Sequence, residues 1–141
     1  MGSHFDIGYF KKPVKVRAKV AKERTVINKM YAWKLGKEYY DGNRLNGYGG
    51  FKYDGRWKAL LPKIIKKYKL TKKSKVLDLG CKKGFLLKDL NILLPQIKSY
   101  GIENHSYALK KAVKCNSKLI KSDYYKIPFK NKYFDFVIAF N

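Results

Sequence analysis

The order of apolar and polar residues changes period several times along the chain, and each change marks an element. Before residue 22, Val14, Val16, Ala18 and Val20 alternate with Lys15, Arg17 and Lys19, a period of two that suits a strand and equally a solvated basic arm. Over residues 22–39 the apolar positions Val26, Ile27, Met30, Tyr31 and Leu35 recur at helical spacing, with Gly36 as a stop signal. A helix is expected there. Further on, Trp57, Leu60, Leu61, Ile64, Ile65 and Tyr68 share one helix face, and Pro62 either bends that helix or begins its first turn.

Between these helices lies "DGNRLNGYGGFKYDGRW", residues 41–57, which holds five of the chain's eleven glycines together with Tyr48, Phe51, Tyr53 and Trp57. Glycine permits positive φ and close backbone approach, and asparagine and aspartate favour tight turns, so an ordered loop is expected. Its rings need cover. They either pack onto their own domain or line a binding surface, and both readings stay open.

From Lys75 onward, strands and helices alternate. Short apolar runs at 76–79, 99–102, 119–122 and 134–140 read as strands, and 85–94 and 105–115 read as helices. Right-handed crossovers place helices on the faces of a parallel sheet, so this order predicts an α/β fold, a Rossmann-like parallel sheet flanked by helices. Ligands of such sheets bind beyond the carboxyl ends of the strands. There the sequence sets Asp78 ahead of a turn bounded by Gly80 and Gly84, Glu103 at the end of the second strand, and Asp123 after the third. Three of only ten acidic side chains thus fall at consecutive strand ends. Glu103 follows Gly80 by 23 positions, the spacing of a carboxylate that accepts both ribose hydroxyls of a nucleoside.

At these residues the chain resembles the class I S-adenosylmethionine-dependent methyltransferases, through "VLDLGCKKG", "YGIEN", "KSDYYKIPF" and "YFDFVIAFN". The likeness covers residues 56–141, which implies an incomplete domain of that fold behind an N-terminal extension, 1–55. It implies S-adenosylmethionine as cofactor, with Asp78 near its amino group and Gly80, Cys81 and Gly84 along its methionine part. Glu103 and Asn104 would take the ribose, and Asp123 and Tyr124 the adenine edge. Tyr48, Tyr53, Arg56 and Trp57 are candidates for covering the cofactor or admitting the acceptor, and Asn141 for facing the acceptor. No catalytic base is nominated, and His105 reads as structural. Lys82 stands where the family pattern has its middle glycine. The family sheet continues past a fourth strand, so a shortened enzyme is expected, its fourth-strand edge open to a second copy or a partner chain.

The function implied is methyl transfer to an unidentified acceptor of small-molecule or saccharide type. Two alternatives stay open, a nucleic-acid methyltransferase or basic RNA-binding protein, and a catalytically silent binding or assembly protein that keeps part of the fold. Charge bears on the first of these. Lys and Arg number 33 against 10 Asp and Glu, a formal +23 that attracts polyanions. Yet only Arg17, Arg24, Arg44 and Arg56 carry the planar fork suited to specific phosphate or base contacts. Lysines spread through every segment with many Tyr, Asn and Ile, as compositional drift would also produce. No apolar run reaches the ~20 residues of a membrane span and no secretion signal opens the chain, so a cytoplasmic protein is expected. Cys81 and Cys115 lack the spacing of a zinc site or a disulfide framework, and no metal is expected.

Overall fold

A computed structural model describes residues 22–140; the alternating stretch before residue 22 and Asn141 lie outside them. Four strands, β1 (Lys75–Leu79), β2 (Lys98–Glu103), β3 (Lys118–Lys121) and β4 (Phe136–Ile138), form one parallel sheet in the order β3-β2-β1-β4. This is the Rossmann-like α/β arrangement. In its register Asp78 pairs with Gly101 of β2 and Ile138 of β4, and Glu103 pairs with Lys121 of β3. The carboxyl ends of β1 and β2 therefore lie side by side.

Around the sheet lie α1 (Val26–Lys34), α2 (Lys37–Asp41), a 3-10 turn (Arg56–Ala59), α3 (Leu61–Lys67), α4 (Phe85–Leu93) and α5 (Ser106–Lys110). The core joins Val76, Ile138 and Cys81 to Leu86, Leu87 and Leu90 of α4 and to Leu61 and Ile64 of α3. Helix α4 is buried almost all round, even at Asp89 and Asn91. The sheet covers one side of it, and the residues ahead of α3 cover another. Phe51 stacks on Phe85 at 4.5 Å between centroids, and Asp89 accepts hydrogen bonds from the Tyr53 hydroxyl at 2.5 Å and the Trp57 N–H at 3.1 Å. A buried carboxylate paired in this way ties the glycine-rich loop to the domain.

Several element boundaries differ from the sequence expectation, each for a local reason. The helix expected over 22–39 is two. Leu35 takes a left-handed conformation, φ 46°, that closes α1, and Gly36 caps α2. The apolar residues of α1 do not reach a core, with Val26 73% and Trp33 85% exposed. Polar links hold the helix instead: a capping box between Thr25 and Asn28, the Asn28 side-chain amide donating to Asn46 at 2.8 Å, and Arg24 Nε donating to the Leu45 carbonyl at 2.7 Å. Pro62 sits in the first turn of α3 and so begins it. Helix α5 stops at Lys110, not at 115, because tertiary partners take the backbone donors beyond it. Val113 N–H goes to the Lys83 carbonyl at 2.9 Å, and Asn116 N–H to the Asn91 side chain at 3.0 Å. Among the described residues no helix is long and apolar enough to cross a membrane.

Candidate functional site

The turn after β1 is built by backbone donors that have fixed destinations. Gly80 and Cys81 both give their N–H to the Ile102 carbonyl of β2, at 2.8 and 3.1 Å, and Gly84 gives its own to the Cys81 carbonyl at 2.8 Å. Gly80 (φ 81°), Lys82 (φ 53°) and Gly84 (φ 76°) all have positive φ, the region glycine enters freely and a lysine only with strain. The turn lies so close to β2 that a Cβ on Gly101 would stand 2.6 Å from Cys81 Sγ. A glycine there lets turn and strand touch.

Glu103, only 1% exposed, ends β2 beside this turn. Its carboxylate accepts the Lys82 N–H at 3.0 Å, the His105 N–H at 3.0 Å, His105 Nδ1–H at 2.7 Å and the Tyr124 hydroxyl at 2.9 Å. Burial, followed by the charge of Glu103, pushes the Tyr124 phenol well above its ordinary pKa, so it stays a donor. One strand inward, Asp78 is 5% exposed, and no described residue donates a hydrogen bond to its carboxylate. Burial lifts its pKa to about 7; Glu103 adds to the rise and Lys82 opposes it.

These residues border a cavity of about 510 Å³, lined by Leu79, Gly80, Lys82, Glu103, His105 and Tyr124 on the sheet side. Leu35, Tyr39, Tyr40, Tyr48 and Phe140 close it from other directions. The volume lies in the range of small-ligand and cofactor pockets. Tyr48 is brought there by a clamp. Lys83, 7% exposed at its side chain, holds Asp41 at 2.6 Å and also donates to the Phe51 carbonyl at 2.9 Å. Tyr107 donates to the same Asp41 at 2.8 Å. Partial burial raises the Asp41 pKa, and Lys83 and Tyr107 more than offset it, leaving the carboxyl below its ordinary value. Lys82 completes the contact, its ammonium donating to the Tyr48 hydroxyl at 2.7 Å.

The residues expected at the site are thus distributed unevenly. Gly80, Glu103, Tyr124 and Tyr48 line the cavity, with Asp78, Cys81 and Gly84 in the strand and turn behind it. Asn104 is exposed at the end of β2. Asp123 is exposed too, and its carboxylate accepts the Tyr125 N–H at 3.0 Å in a local turn. Tyr53 and Trp57 anchor the loop on α4, Trp57 with its ring 5.1 Å from that of Phe140, and Arg56 pairs with Asp54 at 2.5 Å. Tyr39, Tyr40 and His105 line the cavity without having been singled out for it. The pair "YY" directly ahead of the glycine-rich loop was the signal for the first two.

Residues 77–141 match the family model described as methyltransferase domain. Over these residues the chain is similar to a methyltransferase domain. Solved structures similar to it include the plantazolicin methyltransferase BpumL in complex with SAH, 19% identical over 89% of this chain and 50% of that one, with a TM-score of 0.55. The same enzyme with a triazolic desmethylPZN analog and SAH is 19% identical over 87% and 47%, with a TM-score of 0.56. A SAM dependent methyltransferase from Aquifex aeolicus is 25% identical over 62% and 57%, with a TM-score of 0.48. The chain spans about half the length of these solved relatives. No curated protein matches it. The likeness of this chain to BpumL is one of fold, and it covers more of the chain than residues 56–141 alone can supply, so it reaches into the glycine-rich segment.

Proposed function

We propose that the cavity binds the adenosyl group of S-adenosylmethionine and that the chain acts in methyl transfer to a small-molecule acceptor. The observation that carries this is Glu103, a buried carboxylate at the tip of β2 that borders the cavity while tied to the backbone of the glycine turn. A carboxylate placed in this way is suited to accept two ribose hydroxyls. Gly80 offers the close backbone approach the methionine part needs, and the Asp78 carboxylate, without a hydrogen-bond donor among the described residues, is suited to a cationic amino group behind it. When bound, S-adenosylmethionine supplies a methyl group on sulfur for in-line displacement. Proximity and alignment are then the chief demands on the protein.

The chain's own residues prepare that alignment. Tyr39, Tyr40 and Tyr48 wall off the cavity, and Phe140 at the end of β4 closes it beside Gly80. The Glu103 carboxylate has about four acceptor sites and already receives four donors. A ribose therefore replaces donors rather than adding to them. The Tyr124 hydroxyl and the His105 imidazole are the two free to swing away, since the backbone N–H groups of Lys82 and His105 are fixed by the fold.

Calorimetric titration with S-adenosylhomocysteine and S-adenosylmethionine tests the reading. The expected result is saturable binding that Glu103→Gln weakens roughly 10- to 100-fold, the worth of one or two hydrogen bonds to a charged acceptor. Absence of binding by the folded wild-type chain, or binding indifferent to Glu103→Gln, contradicts it.

A further inference from the structure

Lys82 is the feature of the site that the methyl-transfer reading leaves over. Its backbone occupies a left-handed position, φ 53°, that suits glycine, yet its side chain runs along the cavity wall to the Tyr48 hydroxyl at 2.7 Å, with the ammonium 5.4 Å from the centre of the Tyr48 ring. A cavity of about 510 Å³ is only ~10 Å across if taken as a sphere, so any charge inside it lies within that reach of the ammonium and interacts with it appreciably. The carboxylates nearby offset the effect in part. Glu103 borders the same cavity and its negative charge acts on Asp78, Tyr40 and Tyr124, while Asp78 is held partly protonated near neutral pH by burial.

We propose that the Lys82 ammonium weights this cavity's choice of adenosyl ligand by charge, toward the neutral thioether of S-adenosylhomocysteine and away from the cationic sulfonium of S-adenosylmethionine. The two ligands share their adenosine and amino-acid groups and differ at one sulfur, so a fixed ammonium in the same small cavity acts on that difference. This rests on the cofactor reading above. It deepens that reading by making Lys82 a specificity-determining residue.

The test is calorimetric titration of both ligands into the wild-type chain, Lys82→Met and Lys82→Gly. Methionine keeps the stem and the backbone conformation while removing the charge; glycine also relieves the left-handed strain, so one variant remains well folded if the other does not. The ratio of the dissociation constants, sulfonium over thioether, is expected to fall roughly tenfold in both variants. Sulfonium binding that becomes measurable only in the variants gives the same support. If both ligands bind and the ratio stays within about twofold of the wild type, charge selection is wrong and the cofactor reading stands. If neither ligand binds any of the three proteins, the cofactor reading falls and this inference with it.

Discussion

Asp78 sits in an inner strand, 5% exposed as a residue, with no hydrogen-bond donor to its carboxylate among the described residues. Burial first, and then the charge of Glu103, raise its pKa from 3.8 to about 7 against the pull of Lys82. The folded state thus binds a proton more tightly than the unfolded chain. That stabilisation is complete below about pH 3.8 and is lost as pH rises through about 7. Above neutrality the ionised group destabilises the fold. Asp78→Asn removes the titration, so its stability advantage over the wild type should grow by roughly 2–3 kcal/mol between pH 5 and pH 8 in denaturant unfolding. An advantage that does not change with pH contradicts the burial argument. The neighbours that share this field are Lys82, Glu103 and the buried thiol of Cys81. Such an environment could not be read from "VLDLGCKKG", where Asp78 looks like any strand carboxylate. Glu103 was legible, because its spacing from Gly80 follows from the length of a strand–helix–strand unit.

At the scale of elements, the glycine-rich segment is held over the cavity by few strong contacts. The Lys83–Asp41 pair, 2.6 Å long with Lys83 nearly buried, is central to them, and the Phe51 carbonyl and Tyr107 hydroxyl share its two ends. Removing one partner of a buried pair leaves the other without compensation. In Lys83→Met the segment should loosen locally while the sheet holds. Hydrogen exchange should accelerate at least roughly tenfold at the Tyr48 and Phe51 amides, which donate to the carbonyls of Tyr39 and Tyr40 at 2.8 Å each, and not in β1 or β2. Unchanged exchange at both amides would mean the aromatic stack holds the segment without the clamp. The strands were legible as short apolar runs because both faces of a parallel sheet are covered. The clamp was not, since Asp41 and Lys83 lie 42 positions apart and nothing local pairs them. The apolar spacing of α1 predicted a helix correctly and a buried face wrongly: the period reports the conformation, and only the packing decides whether a core lies opposite.

For the molecule as a whole, the arrangement gathers the candidate site at one end of the sheet. The turn after β1, the tip of β2 and the residues after β4 converge there with the aromatic rings of the preceding segment. The order of strands and helices sufficed to place that end, because ligand sites follow from sheet topology. The occupancy of Glu103 by Tyr124 and His105, and the path of Lys82 across the wall, arise from side-chain packing that no spacing encodes. The most direct measurement is a crystal structure of this chain with S-adenosylhomocysteine. The account predicts both ribose hydroxyls within about 3 Å of the Glu103 carboxylate, with the Tyr124 hydroxyl and the His105 imidazole displaced from it. A ligand bound away from Glu103, or bound with all four present donors still on that carboxylate, would contradict it.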